Sequence, residues 1–225
     1  MEKSVDLDRS KFRVLFYCLC LSGLLMLANC RTPIRSHDAA LLAYFQSQPL
    51  GDTLHIKISN EDPTAGDTIP NRLFFTHIPA ALLQQIDYLA DSSQAVVLSR
   101  QKFDLDHNIA AYWVEIRQFW FKHHSLFLYN ASKKTFTDRI TVAEWYGGDG
   151  GQVLTGSWIF DFNGDGKKDI VRREIQHSRI PTEDEPLEQV YESASILLWR
   201  NGRFEALPFQ DTAAMVRRFP IQSFW

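Results

Sequence analysis

The sequence predicts a mainly β (α+β) chain: an antiparallel β meander, sandwich- or partial-propeller-like, with one or two short N-terminal helices. Three observations point to it. From Ala95 onward, aromatic and β-branched residues alternate with polar ones, the two-residue period of half-buried strands. Short turn signals divide these runs, the sharpest being Asn201-Gly202. A helical period of apolar residues is confined to the segment before Ala95. With 16 Phe, 7 Tyr and 6 Trp among 225 residues, there is enough apolar material for one core.

Taken in order, Ser36 is placed to cap a helix over 38–45, with Leu41 and Phe45 on one face. Pro49-Leu50-Gly51-Asp52 ends it, and 53–58 alternates as a strand. Residues 60–70 hold Asp62-Pro63 and Gly66 and read as a loop. The run Arg72-Leu73-Phe74-Phe75 predicts a strand. Pro79 opens a helix with Leu82, Leu83, Ile86 and Leu89 on its apolar face, and Asp91-Ser92-Ser93 stops it. Strands are expected from 95, over 110–121, over 125–129 and 135–145 as a hairpin, and over 152–160 and 168–175. A last hairpin, 194–199 with 203–207, closes through Asn201-Gly202. The glycine run at 146–151 and the acidic stretch 181–186 read as a flexible segment and an exposed loop.

The first 29 residues predict a leader and not part of the fold. Lys3, Arg9, Lys11 and Arg13 precede an uncharged apolar run over 14–28. At about fifteen residues that run is short for a bilayer span, which needs about twenty. It ends in Leu27-Ala28-Asn29-Cys30, which resembles a bacterial lipobox, with Asn29 where that motif prefers a smaller residue. The resemblance implies a lipoprotein: cleavage before Cys30, acylation of its thiol (diacylglyceryl, palmitate-type chains), a lipidated tether over 30–38 and a domain over 39–225. Cys18 and Cys20 would leave with the leader, so Cys30 would be the sole remaining cysteine and no intramolecular disulfide could form.

Within the β region, 161–169 places oxygen side chains at every second position: Asp161, Asn163 and Asp165, then Gly166, then Asp169. A hard divalent cation takes six to eight oxygens at about 2.3–2.6 Å, and alternate spacing lets a curled chain aim them at one centre. The Lys167 carbonyl is the backbone ligand after the bend. A helix–loop–helix hand would need a glutamate at the twelfth position, where Arg172 stands. The flanks Ser157-Trp158-Ile159-Phe160 and Ile170-Val171 favour strands. The stretch from Phe160 through Val171 resembles the FG-GAP/VCBS-type calcium-binding loop of integrin-like propellers and extracellular bacterial proteins. The resemblance covers a dozen residues and implies one structural calcium ion.

Other chemistry is sparse. The net charge of −3 and the lack of a basic patch give no reason to expect nucleic acid. None of the seven histidines has the spacing of a zinc hydrolase, and His123 and His124, adjacent in a strand, point to opposite faces as solvated or core-edge residues. There is no Gly-x-Ser-x-Gly elbow and no phosphate-cradling loop. Glu144, Asp149 and Glu174 are the carboxylates that in-order strand pairing would bring near the loop, the equipment of a glycan hydrolase. The aromatic stripe Tyr112, Trp113, Phe119, Trp120 and Phe121 is expected in the core; any exposed part of it becomes the candidate partner or glycan surface. The resulting expectation is a calcium-stabilised, non-catalytic binding or structural module. It would be anchored by acyl chains in the bacterial envelope, at the outer membrane facing the periplasm or the cell surface, with an envelope protein or glycan as partner. The alternatives are an envelope glycan hydrolase and a periplasmic inhibitor or assembly partner.

Overall fold

In a computed structural model of the chain, the described residues are 38–222, apart from 60–65, 88, 90, 149, 184 and 209–210. The leader, Cys30 and Ser36 therefore lie outside them. Ten strands form one hydrogen-bonded sheet that does not close. They are β1 (Thr53–Ile56), β2 (Thr68–Ile69), β3 (Val96–Asp104), β4 (Ile109–Gln118), β5 (Phe121–Asn130), β6 (Thr135–Gly148), β7 (Gly151–Phe160), β8 (Asp169–Ile180), β9 (Leu187–Arg200) and β10 (Arg203–Ala206). From β2 to β10 each strand lies antiparallel beside its predecessor, the meander that the closely spaced turns call for. Among the described residues four short α-helices accompany it, α1 (Ala39–Leu42), α2 (Asn71–His77), α3 (Ala80–Leu83) and α4 (Thr212–Arg218), with a single 3-10 turn over Ser92–Gln94.

The sheet forks at Gly156. Residues 151–155 of β7 pair with β6, whereas 157–160 pair with β1, which takes the place β6 has vacated. Two irregularities in the β5–β6 register, at His124/Ser125 and Leu128/Tyr129, bend β6 away. The two branches then stack as layers. Leu126, Leu128 and Ile140 on one branch pack with Ile159, Ile170 and Trp199 on the other. Outside the first branch, Leu41, Phe74, Ile78, Leu82 and Ile86 of the helical segments cover Val114, Ile116 and Phe127. Outside the second, α4 and Phe219 cover Val171, Ile196 and Leu198. The order is helices, strands, inner core, strands, helix.

Four local expectations need correction, the first being the Pro79 helix, which spans only Ala80–Leu83 and does not reach Leu89. The 72–75 run is helical, not extended: Pro70 sets the first turn, and Phe74 is buried against Phe127 with Ile78 one turn on. A four-residue apolar run satisfies either period, and packing decides it. The helix expected over 38–45 stops at Leu42, where Tyr44 and Phe45 bond back three residues instead of four. The strand expected over 110–121 is two strands. Phe119 and Trp120 form the turn between Gln118 and Phe121, with Phe119 at φ +44°. By contrast Asn201-Gly202, with φ of +51° and +76°, makes the turn its sequence announces.

Candidate functional site

The 161–169 loop joins β7 to β8, as its flanks predict. Asp161 curls it: Oδ1 accepts from the Gly164 and Asp165 amides at 2.7 and 3.1 Å, and Oδ2 from Gly166 at 2.8 Å. Asn163 Oδ1 accepts from the Asp165 amide and Asp165 Oδ1 from Lys167, at 3.0 and 2.9 Å. The Asn163 side-chain amide donates to Asp165 Oδ2 at 3.2 Å. Lys168 points away and donates to the carbonyls of Gly51 and Asp52, clamping the loop to the approach to β1.

Asp169 differs from the other members because it is 0% exposed. Its Oδ1 accepts from the Trp199 amide of β9 at 2.8 Å and its Oδ2 from Phe162 at the loop's entry at 3.1 Å. Burial raises its carboxyl above the usual carboxylate range, against the amide bonds, which lower it; nearby Asp165 raises it further. Among the described residues no Lys, Arg or His forms an ion pair with it.

The donors are all hard oxygens, and a carboxylate has about four lone-pair positions, more than the amides occupy at Asp165 or Asp169. The donor chemistry of Asp161, Asn163, Asp165, the Lys167 carbonyl and Asp169 thus suits a hard cation. The carboxylates are turned toward the loop's own amides. Among the described residues no three His, Cys, Asp or Glu side chains are gathered as a metal-ligand group.

The carboxylates considered for catalysis fall elsewhere. Glu144 and Glu174 both pair with Thr155, one on each side, so they share a face two strand spacings apart, about 9.6 Å at the backbone. That row lies five residues from Phe160, about 17 Å along β7 from the loop, so these glutamates are not its neighbours. Asp149 lies outside the described residues.

Glu144 has another occupation. It meets His123 Nδ1 at 3.1 Å, while His123 Nε2 lies 2.7 Å from Ser125 Oγ and 2.9 Å from the Arg139 guanidinium. Arg139 also donates to Ser125, Thr141 and the Gln85 carbonyl. With a cation donating to Nε2, the imidazole proton belongs on Nδ1 and points to Glu144. Hydroxyl, imidazole and carboxylate in line are the parts of an activated serine. His123 and Ser125 are 1% and 0% exposed, so no substrate reaches them and the group serves as a buried polar brace. Burial lowers the His123 pKa, as does Arg139, against the opposing pull of Glu144. His124, on the other face as expected, accepts from Trp113 Nε1 at 2.9 Å. Both histidines are buried and bonded; neither is solvated or at the core edge.

The aromatic stripe divides. Tyr112 and Phe121 are core, but Phe119 and Trp120 are 83% and 73% exposed. Sequence reasoning placed them in a strand because no glycine or asparagine marks their turn. Comparison with known proteins finds no matching family model, no matching curated protein and no matching solved structure.

Proposed function

We propose that the chain is a lipid-anchored, non-catalytic binding and structural module of a bacterial cell envelope, with one structural calcium ion held by the 161–169 loop. The observation that carries the calcium reading is Asp169: a buried carboxylate beside three further oxygen side chains, with no cationic side chain paired to it among the described residues. A divalent ion there would supply the missing positive charge and join β7, β8 and β9 at one end of the sheet. Asp161, Asn163, Asp165, the Lys167 carbonyl and Asp169 are the ligands. The lipobox-like Leu27-Ala28-Asn29-Cys30 supports the anchor, and export places the loop where calcium is abundant. The non-catalytic reading is favoured by the burial of His123 and Ser125 in the serine–histidine–carboxylate group found among the described residues.

The test combines two assays on the full chain. Expressed in a diderm bacterium, the wild type should fractionate with membranes and incorporate labelled palmitate, and Cys30→Ala should do neither. The purified domain should melt at higher temperature in calcium than in chelator, and Asp165→Ala should lose that difference. A palmitate-free protein in the soluble fraction removes the anchor; a melting temperature indifferent to calcium removes the ion.

A further inference from the structure

The end of the sheet opposite the 161–169 loop gathers three hairpin tips: the Phe119-Trp120 turn, the glycine turn between β6 and β7, and the β8–β9 hairpin. Between them lies a depression of about 390 Å³, lined by Trp120, Trp145, Gln152, His177, Arg179 and Glu188 with the glycine backbone. That volume falls within the range of small-ligand sites. We propose that this depression binds a saccharide chain.

The register puts the lining on one face. Gln152 pairs with His177 and His177 with Val190, while Trp145, two residues before Gly147, shares the side of Gln152. The row crosses β6 to β9, three strand spacings or about 14 Å, room for a short oligosaccharide. Trp145 is fixed before any ligand arrives: its Nε1 donates to Gln152 at 3.0 Å, and the Lys122 ammonium stands 6.0 Å from its ring. Its neighbour Trp120 is almost fully open.

The polar groups are those that hydroxyl pairs call for. Gln152, Arg179 and Glu188 have planar polar groups with donor or acceptor positions beyond those their neighbours occupy, and His177 stands among them with Nε2 turned to Glu188. His177 and Arg179 both contact Glu188, the latter at 3.4 Å, so the two signs of charge offset one another. Among the described lining residues the charged groups are thus largely paired with one another rather than left open to a bare ion. The depression suits a neutral ring with apolar C–H faces and hydroxyl edges. A hydrocarbon phase is a poorer match, because the Glu188 and Arg179 charges would enter it with the tryptophans.

The backbone supports the same reading. Phe119 holds φ +44°, which bulky residues rarely adopt, in a two-residue turn where glycine or asparagine would be free of strain. Among the described residues neither aromatic is buried, at 83% and 73% exposed, so core packing does not account for that choice. Phe119 is not in the lining, but the turn it strains is the one that presents Trp120 to the depression. Gly147, Gly148 and Gly151 contribute bare backbone to the lining, and at Gly151 the close approach of β8 keeps it so, since a Cβ there would stand 2.3 Å from the His177 carbonyl.

The test is a printed array of neutral, acidic and N-acetylated oligosaccharides probed with the purified domain, followed by tryptophan-fluorescence titration with the best soluble glycan. Parallel titrations use phosphatidylcholine vesicles, and all are run with calcium and with chelator. The proposal expects saturable glycan binding and at least about tenfold weaker binding in Trp120→Ala, the scale of losing one anchoring aromatic. Trp120 is exposed, so the variant should melt with the wild type. No array signal, equal binding by Trp120→Ala, or a blue shift with vesicles alone would each overturn it. Calcium-dependent melting with no glycan bound would sink only this site; glycan binding without a calcium effect would sink only the proposed ion.

Discussion

Asp169 shows how much one side chain does in this chain. Its two oxygens satisfy the Trp199 and Phe162 amides, so Asp169→Ala leaves a buried amide and a part-buried one without their acceptor. The buried loss costs about 1–3 kcal/mol and the part-buried one less, so urea unfolding should show at least about 1 kcal/mol of destabilisation even in chelator. A change of no more than a few tenths of a kcal/mol would mean the carboxylate braces nothing. His123 supplies a pH test. Its folded pKa is lowered, chiefly by burial, while the unfolded imidazole titrates at its ordinary value of 6.5. The unfolded chain therefore binds more protons as pH falls through 6.5, and stability drops from there toward the folded pKa. Glu144, Arg139 and Ser125 surround the ring, and the pull of Glu144 and of Asp87 toward a charged imidazole is outweighed by burial. Unfolding midpoints at pH 7.5 and 5.5 should differ in the wild type, with the difference reduced in His123→Gln.

Among the elements, α4 is too short to stand by propensity and is held from the sheet. Arg173, 1% exposed in mid-β8, donates to the Val216 and Phe219 carbonyls at the end of that helix, at 3.1 and 2.8 Å, and to Ser193 on β9 at 2.9 Å. A cation at a helix C-terminus meets the negative end of its dipole. Arg173→Met keeps much of the volume and removes those bonds. It should free α4 at a cost of about 3 kcal/mol, read as early proteolysis after Arg217 or Arg218. Equal protease resistance would show that apolar contacts of Met215 and Phe219 hold the helix unaided. The same strand shows what a sequence conveys. Ile170-Val171 and Ile175 announce extension, but the alternation does not say that a charged residue between them is a clamp, because its partners lie about forty residues on. Strand type was legible wherever turn chemistry was conventional, as at Asn201-Gly202. It failed at Phe119-Trp120, where the turn residues are those of a strand, and at 72–75, where four apolar residues fit both periods.

At the scale of the whole molecule, in-order turns foretold the meander, since consecutive strands joined by tight turns have little choice but to pair. The fork at Gly156 was not legible. It depends on two register irregularities in β6 and on β1 returning to β7 from about a hundred residues earlier, and neither leaves a local mark. The loop residues were legible because their spacing is local; the distance of Glu144 and Glu174 from them was not, because it depends on register. In the resulting architecture the loop sits at one end of the layers, tied to β9 through Asp169 and to the start of β1 through Lys168. An ion bound only in the folded state would then stabilise the whole sheet, by about 2.7 kcal/mol at a hundredfold excess over Kd. The most direct test is a calorimetric titration of the metal-stripped domain with calcium. The account predicts saturable binding at one ion per chain in the wild type and none in a variant carrying Asp161→Ala and Asp165→Ala. No binding heat in the wild type, or the same single site in the double variant, would contradict it.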